Sequence, residues 1–99
     1  HNYLLAKHKV VNIMQNLEKT TDLDEKYLWQ IIEQGQYLDI GANLETAMPM
    51  FQNGVYDYLP VVSIGNEKHS SNLVGVLFYI DALKTFNKAL FDTSKEEHS

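Results

Sequence analysis

Side chains able to hold a proton, a metal or a covalent bond are thinly spread along this chain. The four histidines are His1, His8, His69 and His98. None stands at the helical i, i+3 or i, i+4 ligand spacing from a second histidine or an acid. His69 falls in a polar turn and His1 and His98 at the ends, so solvated roles are expected of them. Asp22, Asp24 and Glu25 cluster where a helical pattern begins. Negative charge there complements the free N–H groups of a first turn, so these carboxylates read as helix-start charges rather than a catalytic pair. The absence of cysteine removes thiol nucleophiles, disulfides and zinc–thiolate sites, and fits a reducing compartment. No serine stands in a nucleophile-elbow phrase, and there is no glycine-rich phosphate loop. Asp81, between an apolar run and an amphipathic stretch, suits a helix start. These residues form no catalytic constellation, and an enzyme is not expected.

Composition narrows the remaining classes. The 99 residues allow one domain with a single core. At 44% hydrophobic and 21% charged, the chain is ordinary for a globular protein. A net charge of −5, with only eight scattered Lys plus Arg, argues against nucleic acid as a partner. The longest apolar run, Leu73–Ile80, is far short of the roughly 20 residues that span a bilayer. The N-terminal stretch lacks the charged and apolar regions of a signal peptide. The chain opens on His rather than Met, which suggests a piece of something longer.

The elements that must position any site are organised around YLPVVSIGNEKHSSNLVGVLFYID, Tyr58 to Asp81. Two runs rich in Val, Leu, Ile and aromatics, Tyr58–Ile64 and Leu73–Tyr79, flank a polar turn from Gly65 to Asn72. They predict a β-hairpin. The runs are nearly continuous rather than alternating, so both faces of the sheet should be covered. Upstream, the N-terminal 18 residues give a mixed signal, with Val10-Val11 and Ile13 favouring extended or irregular backbone. Asp22 followed by Glu25 resembles a capping box, and Leu28, Ile31 and Ile32 share one helical face. With Gly35 as the stop, the helix is expected over 23–34. Tyr37–Ile40 is a short strand candidate. Asn43 can cap a helix with a buried stripe of Leu44, Ala47, Met48 and Phe51, kinked or frayed by Pro49 and ended by Gly54. The last helix should start near Asp81 and bury Ala82, Leu83, Phe86, Ala89 and Leu90, leaving a disordered tail over 92–99. The expected class is α+β: helix, strand, helix, strand, strand, helix.

The wording of residues 37–91 resembles the cystathionine β-synthase (CBS) domain. The resemblance rests on Leu44 and Ala47, Gly54, Leu59-Pro60-Val61-Val62, Leu73-Val74-Gly75-Val76-Leu77 and Asp81, in that order. It implies a βαββα unit, a three-stranded sheet covered by helices, at 37–91. Residues 1–36 then form an N-terminal linker and helix, either an insertion or part of a degenerate partner motif. The phrase KVVNIM and the closing DALKTFNKAL are similar to the cytoplasmic tails of bacterial ClC-type chloride channels and transporters. Metal-ion transporters and IMP dehydrogenase are other parents of such domains. On this resemblance the chain is a soluble regulatory piece at the cytoplasmic face of a membrane transport protein.

The resemblance also implies candidate site residues. An adenine nucleotide, not a required cofactor, would lie between the first strand and the Pro-Val-Val strand, at Ile40, Ala42, Tyr58, Leu59 and Pro60, with Asp81 receiving ribose hydroxyls. In the family's phrase a Ser or Thr meets ribose or phosphate at the helix start; that position is Phe78 here, which offers no hydroxyl and weighs against phosphate binding. Such motifs work in pairs, and a lone copy favours a homodimer. Met48, Met50, Phe51, Phe86 and Leu90 are the candidate dimer surface, each of them equally suited to filling the core. Two functions follow: a ligand-sensing regulatory module, or a structural dimerisation domain with no ligand.

Overall fold

The computed structural model describes residues 2–20, 22–64 and 71–97. In chain order the elements are α1 (Asn2–Ala6), β1 (Gln15–Asn16), α2 (Glu25–Glu33), β2 (Leu38–Asp39), α3 (Leu44–Asn53), β3 (Tyr58–Ile64), β4 (Ser71–Phe78) and α4 (Tyr79–Glu97). Single 3₁₀ turns at Val10–Asn12 and Leu17–Lys19 flank β1. The strands form one mixed sheet in the order β1-β4-β3-β2. β3 and β4 are antiparallel, β2 runs parallel to β3, and β1 is antiparallel to β4. The class is α+β.

The hairpin strands form where the β-branched runs predict them. Their register pairs Tyr58 with Phe78 and Leu59 with Leu77, then shifts between Val61 and Val62 so that Val62 opposes Leu73. β4 begins at Ser71, earlier than the expected Leu73; the rest of the expected turn, Gly65–Ser70 with His69, lies outside the described residues, as do His1 and His98.

Helices cover both faces of the sheet. On one face Leu59, Val61 and Leu77 pack with Leu44, Ala47, Met48 and Phe51 of α3, Ala82 of α4, and Val10. On the other, Leu28 and Ile31 of α2 meet Val76, with Tyr58, Phe78 and Leu73 around them. Each fully buried aliphatic side chain in these clusters contributes about 1.5–3 kcal/mol of transfer free energy. α2 is therefore the lid of the second face. Its glycine stop is the one expected: Gly35 adopts φ 81°. The Gly35 N–H donates to the Ile32 carbonyl at 2.9 Å and the Gln36 N–H to the Ile31 carbonyl at 3.2 Å, the bonding of a Schellman turn.

Several boundaries differ from the sequence reading. α2 spans Glu25–Glu33, and its cap is Asp24, whose Oδ1 accepts from the Lys26 N–H at 3.0 Å, not Asp22. The strand expected over Tyr37–Ile40, β2, is only Leu38–Asp39. The sheet has four strands rather than three, because Gln15–Asn16 pairs with Val76 and Gly75. Gly75 admits that strand: a β-carbon on it would run into the Gln15 carbonyl and lie 3.2 Å from Met14 Sδ.

Val10–Asn12, where extended or irregular backbone was expected, forms a 3₁₀ turn. Val10 is fully buried, its N–H donates to the Ala42 carbonyl at 2.9 Å, and the His8 carbonyl accepts from the Leu44 N–H at 3.0 Å. The stretch read as a linker thus contributes to the main core. α3 continues through Pro49 to Asn53; Pro49 is exposed, on a side where water can replace the missing donor. Gly54 follows it in extended backbone, with Met50 O only 2.5 Å from where a β-carbon would stand. α4 begins two residues before Asp81 and continues to Glu97, through much of the stretch expected to be disordered. No helix among the described residues is long and apolar enough to cross a membrane.

Candidate functional site

The junction of β4 and α4 has the most distinctive local chemistry. β4 ends at Phe78 and the helix begins at the next residue, with no linker. This is achieved by tertiary bonding: the Tyr79 N–H donates to the Asp57 carbonyl at 2.8 Å, satisfying one donor that a helix start leaves free. The Tyr79 ring stacks on Phe51, centroids 4.7 Å apart and planes 15° from parallel. The start of α4 is thereby clamped to α3 and to the residue preceding β3.

Beside this junction lies a hollow of about 310 Å3 lined by Asp57, Phe78, Tyr79, Ile80 and Leu83, within the size of small-molecule sites. Its lining is mostly apolar, with Asp57 the one acidic member among the described residues. Asp81 is the third residue of α4 and half-buried. It occupies the first turn rather than the cap, where its charge complements the helix dipole. Its backbone carbonyl accepts from the Thr85 hydroxyl at 3.0 Å.

Phe78, standing where a hydroxyl residue would meet phosphate, instead faces Tyr58 across the strands, ring centroids 6.0 Å apart and planes 54° apart. Tyr58 is half-buried on the α2 side. Burial raises its phenol above the usual tyrosine range, and Tyr27 and Tyr56 add to the shift. Tyr56 in turn donates its hydroxyl to Gln34 Oε1 at 2.5 Å, joining the end of α2 to the segment before β3.

The six candidate ligand residues do not converge. Leu59 and Pro60 are fully buried. Ile40 and Ala42 pack against the α3 side of the sheet, whereas Tyr58 belongs to the α2 side. The Ile40 N–H donates to the Val62 carbonyl at 2.8 Å, and Val62 lies four residues along β3 from Tyr58, about 13 Å of strand. Ile40 and Ala42 thus stand toward the other end of β3 from Tyr58 and Asp81. Of the candidate dimer residues, Met48 and Phe51 are 3% and 4% exposed within the protomer core, which takes them off any surface offered to a second copy. Met50 and Phe86 are half-buried against the same core, and Leu90 is exposed.

The sequence reading assigned no site role to Asp57, Tyr79, Ile80 or Leu83, with Leu83 expected only in the core. Ile80 and Leu83 carried a signal: with Leu90 and Phe91 they fall within about 100° of helical arc, at about 100° per residue. Among the described residues, no group of three or more His, Asp or Glu could hold a metal ion. No model of a known protein family matches the chain, and neither does any curated protein.

Proposed function

We propose that this chain is a CBS-type regulatory module of a membrane transport protein, of the chloride-channel kind, that works by self-association through α4 and catalyses no reaction. One observation carries the reading. Residues 38–97 run strand, helix, strand, strand, helix, with the first two strands parallel and the last two an antiparallel hairpin. The Leu59-Pro60-Val61-Val62 and Leu73-Val74-Gly75-Val76-Leu77 phrases stand side by side on that hairpin. In this reading the module hangs at the cytoplasmic face of the membrane, and its pairing transmits a shape change to the embedded part of the parent.

The outer stripe of α4 supports the pairing. Ile80 is 58% exposed, Leu90 37% and Phe91 66%, and Leu83 is half-buried between them. Covering such a stripe with a second copy removes apolar area from water at about 25 cal/mol per Å2. A partner surface built this way uses Leu90 of the candidate set and replaces Met48 and Phe51 with Ile80 and Phe91.

The hollow at the β4–α4 junction favours a second role, the sensing of an adenine-bearing ligand. The base would rest on Phe78, Tyr79, Ile80 and Leu83, with Asp81 taking ribose hydroxyls. With Phe78 in the hydroxyl position and no basic residue among the described residues of the hollow's lining, the adenosine portion rather than its phosphates would supply the affinity. Thermal melts with adenosine, AMP, ATP and S-adenosylmethionine test this. A saturable rise in melting temperature, lost in Asp81→Ala, is expected of a sensor. A melting temperature that rises with protein concentration and ignores every nucleotide leaves self-association alone.

A further inference from the structure

A second groove, of about 460 Å3, runs between residues 3–8, in and just after α1, and the middle of α4. We propose that it binds a small organic anion, with the apolar body on Leu4 and Ala89 and the charged head taken by Lys7 and Lys88. The inference does not depend on the CBS-type reading, and the groove lies apart from the hollow at the β4–α4 junction, with which it shares no lining residue.

Charge is the first argument. The chain as a whole carries −5, yet among the described residues the groove's lining holds two lysines, Lys7 and Lys88, against one carboxylate, Asp92. A concave site with low-dielectric walls concentrates such a local excess. In an acidic protein it gives an anion one favoured place to settle. The second argument is the polar lining. His8 and Thr93 line the same groove, and charge-assisted bonds from lysine to an oxyanion are among the stronger polar contacts. The third is preorganisation. The Lys7 ammonium lies 4.7 Å from the centroid of the Tyr3 ring, which fixes one cation at the rim. Leu4 and the half-buried Ala89 give the lining an apolar part that inorganic ions would not use. The combination selects an anion with an apolar body over a bare one.

The test uses the full chain labelled for amide NMR, with phenyl phosphate and benzoate as probes and benzyl alcohol as the uncharged control. Saturable shifts at amides of residues 3–8 and 85–93 are expected from phenyl phosphate or benzoate. The Lys7→Gln/Lys88→Gln protein should lose about tenfold in affinity. Both lysines are exposed, so the variant should keep its dispersed spectrum; should it not, Lys88→Gln alone serves the same comparison. Equal binding of benzyl alcohol, undiminished affinity in the lysine variant, shifts centred on residues 78–83 instead, or the absence of saturable shifts would each overturn the proposal.

Discussion

Replacing Leu28 with alanine asks whether α2 belongs to the same folding unit as the hairpin. Leu28 is 0% exposed and sits with Ile31 and Val76 in the cluster beneath α2. Truncation removes three carbons, about 2.4 kcal/mol at ~0.8 kcal/mol per buried CH₂. The cavity left in a site held between a helix and a sheet raises the cost to about 3–4 kcal/mol. In a 99-residue chain each kcal/mol lowers the melting temperature by roughly 4–8 °C, so a drop of at least about 12 °C is expected. Urea unfolding gives the measurement, followed by far-UV circular dichroism and by the fluorescence of Trp29, the single tryptophan and itself a residue of α2. Coincident transitions in both probes mark one cooperative unit. A cost under about 1 kcal/mol, or a Trp29 transition that precedes the dichroism change, would refute the claim that α2 is the structural lid of the second face.

Gly75→Ala should destabilise the chain by about 1–3 kcal/mol in the same assay, because the added carbon displaces β1 from β4; unchanged stability with Gln15 still protected from amide exchange would show that the fourth strand is not held as described. Pro49→Ala restores a helix donor at an exposed position of α3; set against about 1 kcal/mol of lost chain stiffness, it should raise stability by about 1–2 kcal/mol, and a fall would show that the proline is preferred there. The raised phenol of Tyr58 has a sign: the native state favours the neutral form, so its contribution is complete below the ordinary tyrosine pKa and is lost as pH climbs through the higher native value. Melting temperature should therefore fall above about pH 10, less steeply in Tyr58→Phe; an identical fall in both proteins would assign the effect elsewhere.

What could be read from the residues depended on how local their causes are. β3 and the body of β4 were legible because their β-branched runs and polar turn specify extended backbone without help. Asn43, whose Oδ1 accepts from the Glu45 N–H at 2.9 Å, and Gly54 marked the ends of α3 for the same reason. β1 was not legible: two residues have no period, and the strand exists only because Gly75 lets Gln15 approach. The start of α4 misled in another way. Tyr79 is a strand former by type, and it enters a helix because the Asp57 carbonyl accepts its N–H and Phe51 stacks on its ring. That tertiary contact moves Asp81 from the cap into the first turn. The ligand set carried over from the family resemblance was divided by similar means, since strand pairing sets Ile40 beside Val62 and away from Tyr58. Met48 and Phe51 illustrate the general ambiguity of an apolar helix stripe, which reads alike whether it meets the protein's own sheet or a second copy.

Self-association through α4 is most directly tested by sedimentation equilibrium of the chain and of its Ile80→Glu/Phe91→Glu variant over a wide range of concentration. The account predicts a mass that climbs from 11.4 kDa toward twice that value in the parent chain. It also predicts a variant that stays at the lower value while retaining its circular dichroism spectrum. A parent chain that remains monomeric up to about 1 mM, where even weak specific pairs form, or a variant that associates as readily as the parent, would contradict it.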